Sequence, residues 1–254
     1  MRLVLKTLPL TLAFVLALGA VGLVTTSCNS SNTEVRFVDA ISGSPEMDIF
    51  FNSGRDFTEM TFPGYQPSSG YRPVPSGNVT IEGTISGTTT EQFTASNVNL
   101  GSGSEYTVVA TGTLSEPVIL SPADDNTEPA NGQVSFRIID AAISSPSTVY
   151  VYILANNSNG QGPGVNSQSA LTATITSPSA PTTATSGYEP QSFNSNNTGW
   201  TGYVCTVAAG TPILTFPVDN FGSAAYGSIR TIVLTDNSTA TGFDSSPQIL
   251  SDLH

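Results

Sequence analysis

Carboxylates are the groups in this sequence best placed to do chemistry. Asp39, Glu46 and Asp48 cluster around the Ser44-Pro45 turn. A protonated carboxyl beside an ionised one is the pairing that hydrolyses glycosidic bonds. On a strand, Asp48 shares a face with Phe50. The plainer role for Asp39, and for Asp140 further along, is structural: each satisfies turn amides or pairs with Arg36 and Arg137. That reading is preferred to catalysis.

Other common chemistries lack their residues. The one His is His254, at the last position, and the one Lys is Lys6. A frayed terminus does not orient a base, so Ser-His-acid and Cys-His arrangements are not expected. Lysine dyads, Schiff bases, His/Cys zinc sites and a lysine-bearing phosphate loop are missing for the same reason. No cofactor, no metal and no enzymatic activity is therefore predicted. Asp124, Asp125 and Glu128 are read as a solvated hinge in preference to a cation site. One group of rings is suited to binding: Tyr188, Phe193, Trp200 and Tyr203 gather at the end of a long polar stretch. Exposed rings beside Asn and Ser stack on sugars or peptides. Alternatively, Trp200 and Tyr203 fill a core.

The elements that must position these groups read as strands. In NVTIEGTIS, Val79, Ile81 and Ile85 alternate with Thr80, Glu82 and Thr84, the period of a half-buried strand. Tyr106, Val108 and Ala110 alternate likewise, and turn residues recur every eight to twelve positions. No window of helical length carries apolar residues at helical spacing. Charged residues make up only 10% of the 254, with Ser, Thr and Asn in their place. This composition suits strands and turns.

The start of the chain reads as an export signal. Arg2 and Lys6 precede an apolar run from Leu8 to Val24, then Thr25, Thr26, Ser27 and Cys28. The arrangement resembles a bacterial lipoprotein signal, although the place three before the Cys, usually Leu, is Thr25. That resemblance implies lipidation of Cys28 and, with Asn29 next, an outer-membrane address; a secreted or periplasmic protein is the alternative. Lipidation would leave Cys205 without a partner, as a buried inert thiol. Beyond residue 28 stand five Arg against 19 acids, a net charge of −14. Such a chain repels phosphate backbones, so nucleic acid is not an expected partner.

The chain also repeats itself. VRFVDAISGSPEMDIFF from Val35 is echoed by SFRIIDAAISSPSTVYVYI from Ser135. Asp140 follows Asp39 by 101 positions and Tyr152 follows Phe50 by 102. VPSG at Val74 is answered by VAAG at Val207, and a repeat this long means duplicated domains. The order Val35, Arg36, Val38, Ala40, Pro45, Asp48-Ile49-Phe50, Asn52 and Gly54, then Val74-Pro75, Gly77 and Tyr106-Thr107-Val108-Val109, resembles the bacterial domain-of-unknown-function family 4397. Asp39 and Asp140 stand where that family usually has His, and Tyr150 takes the slot of Asp48 in the second copy. The resemblance implies exported β-rich envelope proteins, often in tandem copies, with no established activity.

The predicted organisation is all-β: two tandem antiparallel β-sandwich domains, immunoglobulin- or transthyretin-like, after a signal peptide over 1–27 and a lipidated tether over 28–34. The first sandwich is placed at 35–121, a linker at 122–132 and the second sandwich at 133–254, with a long loop over 156–199. The function expected is a non-enzymatic surface binding, adhesion or scaffold module, held to the membrane by its lipid and meeting a glycan or a protein. A carboxylate-dependent carbohydrate hydrolase and a periplasmic ligand-binding component are the competing readings.

Overall fold

The computed structural model describes residues 33–65, 70–176, 184–192, 198–219, 227–237, 241–244 and 246–252. The leader, Cys28, Phe193 and His254 lie outside them. Every helix or strand among the described residues is a strand. The first nine are β1 (Thr33–Asp39), β2 (Met47–Phe51), β3 (Gly54–Met60), β4 (Gly64–Tyr65), β5 (Arg72–Val74), β6 (Gly77–Ile85), β7 (Glu91–Leu100), β8 (Glu105–Gly112) and β9 (Pro117–Leu120). The second set is β10 (Gln133–Asp140), β11 (Thr148–Ala155), β12 (Ala173–Thr176), β13 (Glu189–Ser192), β14 (Trp200–Cys205), β15 (Pro212–Asp219), β16 (Ile229–Leu234) and β17 (Gln248–Ser251).

These strands build four sheets in two sandwiches. In the first, the sheet β4-β1-β8-β9, with β5 also on β1, packs on β3-β2-β6-β7. In the second, β13-β10-β16-β17 packs on β12-β11-β14-β15. The strand order is the same in both. Each sandwich also holds one parallel pair, β1 with β8 and β10 with β16, among antiparallel neighbours. The chain crosses to the other sheet and back between the members of each pair, and that long return permits parallel alignment.

Alternation decides where each side chain goes. On β1, Val35 and Phe37 enter the first core with Met47, Ile49, Phe51 and Phe57. On β10, Val134, Phe136 and Ile138 enter the second core with Val149, Val151 and Trp200. The residues between them face the other way, toward the other sandwich. Val38, Val109 and Leu120 from one inner sheet meet Ile139, Val233 and Leu250 from the other in a third apolar cluster. The two inner sheets therefore pack face to face, and β1 and β10 are buried on both sides. That double burial explains why both strands read as nearly continuous apolar runs. It also puts Arg36 and Arg137, one per strand, in the interior.

Candidate functional site

The carboxylates flagged by the sequence hold turns. Asp39 accepts the Ile41 N–H at 3.0 Å and the Ser44 hydroxyl at 2.7 Å. Asp140 repeats this with the Ala142 N–H at 3.2 Å and the Ser145 hydroxyl at 2.6 Å. Burial pushes Asp39 up to about 6 and Asp140 up to about 7, against the pull of those hydrogen bonds; nearby Asp236 adds to the rise at Asp140. Of the two structural roles expected for this pair, capping turn amides is the one observed. Asp48, equally buried, accepts the Gly87 N–H at 3.1 Å, the Glu59 N–H and the Ser86 hydroxyl, both at 3.2 Å, and faces Arg55 at 3.6 Å. Burial alone would raise it, but these donors outweigh burial and hold it below the ordinary carboxylate range.

The two arginines meet carboxylates from the opposite sandwich. Arg36 binds Asp252 through Nη2 and reaches the Ser251 carbonyl at 2.8 Å through Nη1. Arg137 binds Asp124 at 2.5 Å through Nη2 and the Ala123 carbonyl at 3.0 Å through Nη1. A threonine braces each guanidinium: Arg36 Nε donates to Thr107 at 2.8 Å, and Arg137 Nε donates to Thr231 at 3.0 Å. The hydroxyls of Thr107 and Thr231 donate in turn to Asp124 at 2.8 Å and Asp252 at 2.7 Å. Tyrosines close both ends. Tyr71 donates to Asp124 at 2.5 Å with its ring 5.2 Å from the Arg36 carbon, and Tyr188 donates to Asp252 at 2.8 Å with its ring 4.7 Å from that of Arg137. Burial, chiefly, raises both phenols. The arrangement is a reciprocal lattice, one half from each copy. The Asp124 side chain is completely buried in it, which corrects its assignment to a solvated hinge. The ion pairs are sealed from solvent, so this lattice joins the sandwiches and does not meet a ligand.

The aromatic group expected to form one surface is dispersed. Trp200 is 2% exposed and stands edge-on to Phe136 at 5.1 Å in the second core. Tyr188 belongs to the lattice. Tyr203 is buried on the outer face of the second sandwich beside Tyr152 and Cys205. Phe193 lies outside the described residues. Each of the other three rings has a protein surface to bury against, so they form no exposed strip; among the described residues the core-filling alternative is the one observed for Trp200.

The open surface lies elsewhere. On the outer face of the first sandwich, Phe50, Arg55, Glu82, Thr84, Thr88 and Glu91 line a groove of about 370 Å³. It runs across β2, β3, β6 and β7, with Phe50 paired opposite Glu82. The Arg55 guanidinium, half exposed, lies 5.8 Å from the Phe50 ring and screens Asp48. The Thr84 hydroxyl, buried in the groove lining, has no hydrogen-bond partner among the described residues. A buried hydroxyl without a partner costs roughly 1–3 kcal/mol, which a polar ligand atom would recover. The sequence placed Phe50 and Asp48 on one face and Glu82 and Thr84 on another strand's polar side. It offered no means of joining them, because the β2–β6 pairing is long-range.

Residues 33–152 match the family described as "Domain of unknown function (DUF4397)", and this part of the chain belongs to that family. The match spans the first sandwich and enters the second as far as β11. No curated protein matches the chain. Among solved structures it is similar to CBMbc (family CBM26) from Eubacterium rectale Amy13K, determined in complex with maltoheptaose. The identity is 13% and the TM-score 0.27, over 86% of this chain and 96% of that one. A likeness that faint carries no argument about fold or ligand.

Proposed function

We propose that this DUF4397 chain is an exported, lipid-anchored binding module without catalytic activity, and that it takes its ligand on the outer face of the first sandwich. The observation carrying this reading is the groove itself: a partly buried ring, a guanidinium, two carboxylates and an unpartnered buried hydroxyl on one sheet face. Such a mixture of apolar bed and few convergent polar groups is what small binding sites are made of. The lattice supports it indirectly. By joining the sandwiches back to back, it consumes their inner faces and leaves the outer ones to meet partners.

The leader supports the envelope address. With Cys28 lipidated, β1 begins at Thr33, so the tether spans about 17 Å at most. The first sandwich then works close to the membrane surface. Labelled palmitate should enter the wild-type protein in cells and not the Cys28→Ser variant. Binding is tested by presenting the mature protein to arrayed glycans and peptides beside Phe50→Ala. The reading expects at least one ligand lost in the variant while the melting temperature holds; a complete set of ligands unaffected by Phe50→Ala contradicts it.

One observation favours a second reading. Glu82 and Glu91 line the same groove from adjacent strands, and a carboxylate pair is the minimum a glycoside hydrolase needs. Release of reducing sugar that disappears in Glu82→Gln and Glu91→Gln would establish that reading over plain binding.

A further inference from the structure

The second sandwich has a strap where the first has its groove. Between β11 and β12 the chain Asn156–Leu171 folds back over the outer sheet without joining it. Its start is pinned where Thr201 donates to the Asn156 side chain at 2.6 Å and Thr198 donates to the Asn157 carbonyl at 2.9 Å, and just past its end the Thr172 N–H donates to the Val151 carbonyl at 2.9 Å. Its middle, Gly160-Gln161-Gly162-Pro163-Gly164-Val165, lies on the tyrosines. The Gly164 N–H donates to the Tyr203 hydroxyl at 3.1 Å, and Val165 packs on Tyr152, Tyr203 and Cys205. Gly162 approaches so closely that a Cβ there would fall 2.2 Å from the Tyr203 oxygen and 2.7 Å from the Thr201 hydroxyl. Bare backbone is what this face accommodates.

The two faces correspond strand for strand. Tyr152 pairs opposite Tyr203 across β11 and β14, as Phe50 pairs opposite Glu82 across β2 and β6. On the second face an aromatic ring beds the strap and a side-chain oxygen from the neighbouring strand accepts its main-chain N–H. On the first, Phe50 supplies the ring and the Glu82 carboxylate supplies the oxygen, with nothing of this chain upon them among the described residues. We infer that the groove of the first sandwich takes an extended, glycine- and proline-containing segment of a partner protein, laid across it as the strap is laid across the second, and that this segment carries a basic side chain. The inference rests on the binding reading above.

The charge follows from the lining. Arg55 is matched by Asp48 at 3.6 Å. Glu82 and Glu91 have no ion pair among the described residues. The groove thus has carboxylates to spare where the strap's counterpart meets neutral phenols. Glu82 can accept a main-chain N–H and a lysine together. The Thr84 hydroxyl is free to bond a peptide carbonyl or N–H. The strongly acidic chain draws a basic segment in from a distance.

Three labelled hexapeptides test this on the whole mature protein by fluorescence polarisation at low salt: the strap sequence GQGPGV, its lysine form GKGPGV and its glutamate form GEGPGV. The lysine form should bind about threefold to fivefold more tightly than the glutamate form, the weight of one part-exposed charge pair. Glu82→Gln should remove most of that difference with an unchanged melting curve, and Phe50→Ala should weaken all three. Equal binding of the three peptides, or a charge preference that survives Glu82→Gln, overturns the inference. If no peptide binds while an arrayed glycan does so in a Phe50-dependent way, the peptide inference falls and the binding reading stands. If nothing binds at Phe50, both fall.

Discussion

The two sandwiches share strand order, parallel pair, Asp-capped turn and central arginine, yet their outer faces have parted. The first presents Phe50, Arg55, Glu82 and Glu91 in an open groove. The second presents Tyr152 and Tyr203 beneath sixteen residues of its own chain, from Asn156 to Leu171. Their inner faces have done the opposite. Arg36 with Asp252 and Arg137 with Asp124 are the same device used twice. A surface committed to packing against its counterpart stays matched, because a change on one side leaves a buried charge on the other. A surface free of that constraint can diverge, and it is on the divergent face that we propose binding.

The largest effect should come from breaking the matched side. Removing one partner of a buried, hydrogen-bonded ion pair costs about 3–5 kcal/mol. Arg36→Met and Arg137→Met should each lower stability by that amount in urea unfolding. If the halves are equivalent, the two losses agree within about 1 kcal/mol. The Arg137→Met/Asp124→Leu double variant should recover part of the loss, because it leaves no unpaired charge. A loss confined to one arginine would mean that the lattice is not reciprocal.

A smaller effect separates the turn carboxylates from Asp48. Asp39 and Asp140 have folded-state values of about 6 and 7, above their ordinary 3.8. The fold therefore binds these protons more tightly than the unfolded chain does. The stability they contribute is complete below about pH 4 and is lost as pH rises through 6 and 7. Asp48 has the opposite sign: its contribution is present at neutral pH and is lost on acidification below its lowered value. Melting temperature should accordingly rise from pH 8 to about pH 5 and fall again in stronger acid. Asp140→Asn keeps an oxygen for the Ala142 N–H, turns the Ser145 contact round so that the amide donates to the hydroxyl, and removes the titration, so it should flatten the neutral limb. A melting temperature unchanged between pH 5 and 8 would contradict these shifts.

The smallest effect concerns the strap. Gly162→Ala puts a methyl into the Tyr203 and Thr201 oxygens. It should cost roughly 1 kcal/mol, because an exposed strap can lift away. Hydrogen exchange should quicken over 160–165 and leave β2 and β6 unchanged. Exchange that quickens across the whole second sandwich would show that the strap is integral to its fold.

The sequence made the duplication, the strands and the Asp39 and Asp140 turns legible, because each is a local pattern: a period of two, or an Asp followed five residues on by a Ser. The arginines were legible as a repeated feature but their partners were not. Asp124 and Asp252 sit just past the last strand of each copy, within PADDN and SDLH, where nothing periodic distinguishes a buried carboxylate from a solvated one. Their pairing crosses from copy to copy, beyond the reach of any local pattern. The aromatic group misled for a related reason. Trp200 and Tyr203 are close in sequence, but a strand sends residues of odd separation to opposite faces once its register is set. The one went into the core and the other beneath a strap whose Gly-rich sequence alone does not reveal what it covers.

Hydroxyl-radical footprinting of the free mature protein, read residue by residue by mass spectrometry, tests the divergence of the two outer faces most directly. Phe50 should be oxidised freely while Tyr152 and Tyr203 are protected, and Gly162→Ala should unmask the tyrosines without altering Phe50. Equal labelling of Phe50 and the two tyrosines in the wild-type protein would mean that the faces are alike, and the assignment of binding to the first sandwich would lose its basis.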